Sequence, residues 1–251
     1  MRRNPVLEAK QAGRRAIGAW LTVSSTFTAE AMARAGFDYL AVDLQHGSAD
    51  WADLGAMIQV IDGAGCCAVV RVPWNDQPSI MRALDLGAAG VIVPMVSTPQ
   101  EARSAADAVR YPPHGVRSFG PTRGYYLNDP NRIDPACLIM IETKGGLENI
   151  AAIAATPGVD GLFVGAADLG LDLGLSLSLK PSPPILGAID RVVEVCNDRG
   201  ITPGAAGMDT PSSQDFLTRG IRFLTLSSDI YYMRRAMQED LETFKAWRNP
   251  G

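Results

Sequence analysis

Residue types that mark particular protein classes are scarce in this 251-residue chain. It has two histidines and four cysteines, none in the C-x-x-C spacing typical of zinc or redox sites. Cys66 and Cys67 are adjacent in an apolar stretch, so we interpret the cysteines as reduced structural thiols rather than a disulfide framework. The N-terminus lacks the apolar core of a secretory signal, and no window is long enough to span a membrane. These absences predict a cytoplasmic protein without a membrane partner.

The chain also lacks an excess of basic residues. Its formal net charge is −4 and its pI is near 5.2. A nucleic-acid surface needs clustered Lys and Arg to neutralise phosphates, so no nucleic-acid partner is expected. Apolar residues make up 47% of the chain and charged residues 20%, as in ordinary globular proteins. Small molecules are therefore the expected partners.

What the sequence does contain is a series of eight short apolar runs separated by amphipathic segments. The runs cover residues 16–23, 38–44, 67–72, 90–96, 137–143, 159–165, 201–207 and 221–228. Continuous hydrophobicity indicates strands covered on both faces, and several intervening segments end at glycine as helices do. No G-x-G-x-x-G or Walker motif supports a doubly wound nucleotide-binding sheet. We predict an α/β fold, a (β/α)₈ TIM barrel, with residues 1–251 forming a single domain.

Two segments are longer than a barrel requires, and the last helix is also long. Residues 111–135 and 166–184 predict long loops, which in compact domains are usually functional or mobile. His114, in the first of these, is interpreted as an ordinary loop histidine. Residues 229–249 predict a helix that extends beyond its own barrel and packs on a neighbouring subunit.

Polar side chains occur where several predicted strands end. Asp43 and His46 follow the second strand, Arg71 lies at the end of the third, Glu142 ends the fifth and Asp168 follows the sixth. Because parallel strands of a barrel end at one mouth, where barrel enzymes place their active sites, we expect these side chains to converge there.

Each of these residue types suggests a role. Glu142 and Asp168 come from consecutive strands, and two carboxylates make a hard-oxygen site suited to Mg²⁺ or Mn²⁺. His46 is the candidate general base, because imidazole exchanges a proton near neutrality, and Asp43 is expected to accept a hydrogen bond from one ring nitrogen. Arg71 would otherwise leave an unpaired guanidinium in an apolar barrel, so an anionic ligand or oxyanion is expected beside it.

The chain resembles the HpcH/HpaI aldolase family, the metal-dependent class II pyruvate aldolases of the phosphoenolpyruvate/pyruvate barrel superfamily, over nearly its whole length. The resemblance is carried, in the family's order and spacing, by FDYLAVDLQHG, VVRVP, LDLGAAGVIVPMVSTPQEA, YPPHGVRSFGPTRG, IMIETKGGLENI and GVDGLFVGAADLGLDLG. It implies a homo-oligomer, a hexamer or trimer of dimers, in which the last helix is often exchanged between partners.

The same resemblance implies specific roles. Glu142 and Asp168 match the family's metal ligands, for Mg²⁺ or Mn²⁺ with Co²⁺ as a further candidate. His46 matches the base, and Arg71 matches the residue that stabilises the enolate oxygen.

Two further positions carry over from the family. Asp85 matches an acidic residue credited with raising the basicity of the histidine. Because it lies late in the helix predicted after the third strand, near the bottom of its own barrel, we hypothesise that it serves a neighbouring subunit's site. Backbone amides around Ala167, next to Asp168, are expected to help hold the donor substrate.

Four positions expected to border the site depart from the family pattern. Met140 stands where Gln is frequent, Gln45 where Glu is usual, and the GPADLS pattern is replaced by GAADLG, with Ala166 and Gly170. These departures affect substrate preference more than the chemistry.

The expected function is that of an aldolase that enolises pyruvate or hydroxypyruvate and adds it reversibly to an aldehyde, forming or cleaving 4-hydroxy-2-oxo acids. One alternative is a Schiff-base aldolase using Lys144, two residues past Glu142. A second is an acyl-CoA lyase of the citrate lyase type, although no basic pocket for CoA phosphates is evident. A third is a barrel that only binds a keto acid, which would not need a base.

Overall fold

Eight parallel strands close into a barrel in sequence order in this computed structural model, which describes residues 4–10, 13–127, 135–176, 178 and 180–248. Each strand pairs with the next, and the eighth pairs with the first. The strands are β1 (Ala16–Leu21), β2 (Tyr39–Asp43), β3 (Cys67–Arg71), β4 (Gly90–Val93), β5 (Ala136–Ile141), β6 (Gly161–Val164), β7 (Thr202–Ala206) and β8 (Phe223–Ser228). The predicted TIM barrel is confirmed, and each strand lies within one of the apolar runs or overlaps it.

Helices surround the barrel. They are α1 (Pro5–Lys10), α2 (Thr26–Ala33), α3 (Trp51–Gly63), α4 (Gln77–Asp85), α5 (Pro99–Val109), α6 (Arg123–Leu127), α7 (Lys144–Glu148), α8 (Ile150–Ala154), α9 (Ala166–Asp172), α10 (Pro183–Arg199), α11 (Thr210–Arg219), α12 (Asp229–Thr243) and α13 (Lys245–Arg248). Not one of the described helices is long and apolar enough to cross a bilayer.

Local sequence signals set the ends of these helices. Asp50 begins α3 with a capping box, and Thr98 begins α5 in the same way, so that backbone N–H groups of each first turn find acceptors. Gly200 ends α10 at φ +64°, a left-handed conformation that glycine adopts without steric cost.

The barrel interior is filled by a compact aromatic layer. Tyr39 stacks on Phe223 with ring centroids 4.0 Å apart, and its hydroxyl lies 2.8 Å from that of Thr225. Gly18 is required beside this ring, because a Cβ there would lie 2.5 Å from Tyr39. Phe163 meets Phe223 edge to face, so side chains fill the barrel interior beneath its mouth.

The N-terminal end of the barrel is closed by α1. Val6 is completely buried against the interior cluster, and its carbonyl accepts a hydrogen bond from Thr202 Oγ1. Asn4 donates to the carbonyl of Ala89, and Lys10 pairs with Asp160 at 2.5 Å. The barrel therefore opens at the carboxyl ends of its strands.

The long segments differ in part from the predicted loops. The prediction for residues 166–184 was wrong in its first part, where α9 follows β6 directly. Within 111–135, residues Arg123–Leu127 form the short helix α6. Residues 128–134 lie outside the described part of the chain. His114 is exposed.

The cysteine prediction is confirmed. Cys66, Cys137 and Cys196 are buried and Cys67 is half-buried, as expected of structural thiols.

The predicted C-terminal helix is also confirmed, and it leaves its own barrel. Asp229, at its start, is buried and accepts hydrogen bonds from the amides of Thr22 and Val23. Beyond Tyr232, every side chain that the structure describes in α12 is exposed. One stripe of this exposed part is apolar and consists of Met233, Met237, Leu241, Phe244 and Trp247, which continues into α13.

Candidate active site

A cavity of about 620 Å³ opens at the carboxyl ends of the strands. The four side chains on which the sequence-based mechanism depends all line it: His46, Arg71, Glu142 and Asp168. Asp43 and Ala167 line the same cavity. Strand ends far apart in the sequence thus bring the expected acid, base and cationic groups together.

Asp43 is paired with Arg71, not with His46. The Arg71 guanidinium donates two parallel hydrogen bonds to the Asp43 carboxylate, from Nε at 2.8 Å and from Nη2 at 2.5 Å. Asp43 Oδ1 also accepts from the backbone amides of Gln45 and His46. The expected hydrogen bond from the His46 ring to Asp43 is therefore a wrong prediction: strand register places Arg71 directly opposite Asp43, and the guanidinium fork occupies both oxygens.

The loop that carries His46 is held by its own backbone. Asp43 anchors the two amides after the strand, and the Ser48 amide donates to the carbonyl of Thr22. Gly47 is needed because a Cβ at this position would lie 2.2 Å from the carbonyl oxygen of Asp43. The turn leaves the His46 side chain exposed at the cavity, where it can reach a bound ligand.

Glu142 is buried just past the end of β5 and is fixed by a strained neighbour. Its Oε1 accepts a hydrogen bond of 2.6 Å from the backbone amide of Met95. Met95 has φ +58°, an unfavourable conformation for a residue with a side chain. Gly165 leaves the space that the carboxylate needs, because a Cβ there would lie 2.5 Å from Glu142 Oε2.

The electrostatics of Glu142 favour a cation beside it. Burial raises the pKa of its carboxyl group; the Met95 hydrogen bond opposes this, the nearby Asp168 charge reinforces it, and Arg71 opposes it. No group of three or more His, Cys, Asp or Glu side chains in the described residues could hold a metal ion. The site offers the two carboxylates of Glu142 and Asp168. Proteins commonly bind Mg²⁺ through one or two carboxylates, and water and substrate oxygens supply its remaining ligands.

Apolar and aromatic side chains form the floor of the cavity. Trp20 lies under the Arg71 guanidinium, 4.6 Å from ring centroid to Cζ, and meets Phe163 edge to face. Met140, beside Phe163 in the strand register, is 2% exposed. Of the departures from the family pattern, Met140, Ala166 and Gly170 line the cavity, whereas Gln45 does not.

Two residues singled out from the sequence lie elsewhere. Asp85 ends α4 at the opposite end of the barrel and pairs at 2.9 Å with Arg117, whose side chain is 1% exposed. Lys144 begins α7; its side chain is 65% exposed, lies 4.0 Å from Glu148, and does not line the cavity. The structure therefore does not support Lys144 as a Schiff-base lysine, and Asp85 does not reach its own subunit's cavity.

Sequence reasoning missed four contributors to the site. Trp20 and Lys180 line the cavity, Met95 orients Glu142, and Gly165 makes room for it. Trp20 could have been found from its inward position near the end of β1. The Met95 contact left no sequence signal, because it involves only the backbone.

The fold and this site define a barrel enzyme with a histidine, an arginine and carboxylates gathered at its mouth. The family model described as HpcH/HpaI aldolase/citrate lyase matches residues 16–236. A 2-dehydro-3,6-dideoxy-6-sulfogluconate aldolase of Pseudomonas putida is 35% identical, over 93% of this chain and 94% of that protein. A 4-hydroxy-2-oxo-heptane-1,7-dioate aldolase of Salmonella dublin is 32% identical, over 98% of this chain and 97% of its own.

A solved structure shows the same similarity. A HpcH/HpaI aldolase/citrate lyase family protein from Burkholderia cenocepacia superposes with a TM-score of 0.89 at 30% identity, covering 97% of this chain and 100% of that one. The chain belongs to the HpcH/HpaI aldolase/citrate lyase family. It is a carbon-carbon lyase of the aldolase type.

Proposed function

We propose that the protein removes a proton from C3 of pyruvate or hydroxypyruvate and adds the resulting enolate to an aldehyde, forming a 4-hydroxy-2-oxo acid. Cleavage of such an acid is the same reaction in reverse. The observation that carries this proposal is that His46, Arg71, Glu142 and Asp168 line one cavity. Both named relatives are aldolases of oxygenated acids, which supports this reaction class.

The residues divide the work as follows. His46 takes the C3 proton, directly or through a water molecule, and returns it in the reverse direction. Arg71, held rigid by Asp43 and Trp20, offsets the negative charge that develops on the enolate oxygen. Backbone amides around Ala167 help to hold the donor.

The carboxylate pair fits a divalent cation. Glu142 uses Oε1 for the Met95 hydrogen bond, which leaves Oε2 facing Gly165 and the cavity side. Glu142 and Asp168 would hold Mg²⁺, Mn²⁺ or Co²⁺. When bound, the ion supplies Lewis acidity that makes the donor C3 protons easier to remove.

A functional oligomer is part of the proposal. The apolar stripe of α12 and α13 is 44–80% exposed in one chain. Beneath the start of α12, a groove of about 260 Å³ is lined by Leu217, Leu224 and Leu226. We propose that a second copy's C-terminal helix covers these surfaces, in a hexamer or trimer of dimers, and that Asp85 acts at a neighbouring subunit's site. The buried free thiols of Cys137 and Cys196 support a reducing, cytoplasmic location.

The alternatives are less well supported. A Schiff-base mechanism lacks a lysine at the right place, since Lys144 lies outside the cavity and Lys180 is at its exposed rim. An acyl-CoA lyase needs several cations for the CoA phosphates. Apart from Arg71, already paired with Asp43, Lys180 is the one Lys or Arg that lines the cavity among the described residues.

The test is a matrix of two donors and several aldehydes, assayed on metal-stripped protein with each divalent cation restored in turn. We expect no turnover after chelation, recovery with Mg²⁺, Mn²⁺ or Co²⁺, and no inactivation by borohydride in the presence of pyruvate. Full activity without a cation, or borohydride trapping on a lysine, would overturn the metal-dependent mechanism.

A further inference from the structure

The cavity lining combines charged and apolar groups. The charged side carries the groups already described, which come from the ends of β2, β3 and β5 and from the start of α9: Asp43, His46, Arg71, Glu142 and Asp168. Later segments, after β6 and β7, line the cavity with Lys180, several serines and four apolar side chains. We call these four side chains the apolar wall: Leu175, Ile185, Met208 and Phe216.

The cavity is larger than the donor requires. Its volume of about 620 Å³ lies within the range of roughly 300–1,000 Å³ found for drug-sized ligands. A three-carbon keto acid held at the charged side leaves most of this volume free. The aldehyde must bring its carbonyl carbon to the donor's C3, so the rest of the aldehyde extends into the remaining space.

We propose that the apolar wall binds the tail of the acceptor, and that the preferred acceptor is an aldehyde with a neutral alkyl or aryl body of several carbons. This inference rests on the proposed aldolase function. The bond formed joins C3 of the donor to the aldehyde carbon, the C3 proton goes to His46, and the aldehyde oxygen gains a proton. The product is the sum of the two substrates, so no further reactant is needed.

The wall is suited to an apolar tail because it offers buried hydrocarbon. Phe216 is 1% and Ile185 5% exposed, and both belong to the main hydrophobic core. A polyhydroxylated tail would lose hydrogen bonds to water against these side chains. Two cavity-lining hydroxyls, of Ser182 and Ser227, are buried without a partner in the described structure, so a single polar substituent could be accommodated.

A tail ending in an acid is the competing occupant, because Lys180 lies at the rim. Lys180 is exposed, and an ion pair between an exposed ammonium group and a carboxylate contributes little in water. We therefore favour the neutral tail, and the experiment compares the two.

The first experiment measures kcat/KM with pyruvate and a cation for ethanal, butanal and hexanal, and for 4-oxobutanoate and 6-oxohexanoate. We expect kcat/KM to rise about two- to fourfold per added methylene in the neutral series, and each neutral aldehyde to exceed the acid of equal length. A flat neutral series, or a preference for the acids, would overturn the inference while leaving the aldolase function intact.

Variants of the wall provide the second arm. Met208→Gln and Leu175→Gln change partly exposed wall residues, so we expect both to fold and to reduce the hexanal-to-ethanal ratio of kcat/KM by about fivefold. Leu171→Gln is the matched control, because Leu171 is 52% exposed on α9 and does not line the cavity. An equal fall of this ratio in Leu171→Gln would contradict the assignment of the apolar wall as the binding site of the tail.

A binding measurement separates this inference from the proposed function. Hexan-1-ol cannot react, and we expect calorimetry to detect its binding with a negative heat-capacity change that Met208→Gln weakens and Leu171→Gln does not. If no aldehyde is turned over, the aldolase proposal fails, and this binding still decides whether the wall receives an apolar tail. Absence of hexan-1-ol binding would refute the inference.

Discussion

Asp43 and Arg71 form a two-point ion pair across neighbouring strands, with the carboxylate 2% and the guanidinium side chain 13% exposed. The pair joins the loop that carries His46 to β3, the strand that carries the Arg71 guanidinium. It therefore couples the positions of two groups that we propose act on the same substrate.

A double-mutant cycle tests this coupling. Asp43→Asn keeps an acceptor for the loop amides but leaves the Arg71 guanidinium without its carboxylate, so we expect a loss of about 3 kcal/mol in the free energy of unfolding. Arg71→Met removes the partner. The double variant should lose less than the sum, by about 2 kcal/mol, in urea unfolding. Additive losses would contradict the coupling.

The strained backbone at Met95 predicts an unusual tolerance. Met95→Gly keeps the amide that holds Glu142 and relieves the positive φ, so activity and Tm should be retained. Met95→Pro removes this donor and cannot adopt the angle, so we expect Mn²⁺ affinity to fall about 10- to 100-fold. Titration calorimetry measures this. An equal loss of Mn²⁺ affinity in both variants would show that the Met95 side chain, rather than its backbone amide, supports the site.

The two histidines offer a direct comparison. His46→Ala should lower the rate of C3 proton exchange in pyruvate by about 10²- to 10⁴-fold, because it removes the proposed general base. His114→Ala, at an exposed position away from the cavity, is the control and should exchange at the normal rate. Exchange followed by NMR in deuterated water needs no aldehyde. Normal exchange in His46→Ala would remove this residue from the mechanism.

Buried thiols predict a loss of stability at high pH. Burial raises the pKa of Cys137 from 9.0 to about 12, so the folded protein keeps a proton that the unfolded chain releases. A group with a raised pKa contributes stability below its unfolded pKa and loses it as pH rises towards the folded value. Between pH 8 and pH 10, the free energy of unfolding should fall by about 1 kcal/mol more in the parent protein than in Cys137→Ala. Identical pH slopes would contradict this.

The exposed helix predicts a defect in assembly. Met237→Glu and Leu241→Glu place charges on the apolar stripe, so we expect smaller particles by light scattering at the same protein concentration. Gln238→Glu, outside the stripe, is the control. Asp85→Asn should lower activity without changing particle size. Full activity of dissociated subunits would contradict a role for Asp85 at a neighbour's site.

The architecture was predictable because its signals are local and repeated. Each of the eight strands is a short apolar run, and parallel topology then brings residues as distant as Asp43 and Asp168 to one mouth. Helix caps such as Thr98 and Gly200 also follow from single residues.

The pairing within the site was not predictable in the same way. Whether Asp43 faces His46 or Arg71 depends on the register between β2 and β3, and hydrophobicity does not encode register in a strand buried on both faces. Met95 acts through its backbone angle, and the sequence contains no glycine there to signal it. The apolar wall depends on packing between segments far apart in the chain.

The closure of the barrel by α1 has a kinetic consequence. In the described part of the chain, Val6, Asn4 and Lys10 cover the far end, so we expect the inner charged groups to be reached through the mouth. An aldehyde bound against Met208, as we propose, would share this cavity with the keto acid. We expect compulsory order, with the keto acid entering first and departing last, so the aldehyde should act as a dead-end inhibitor when it arrives too early.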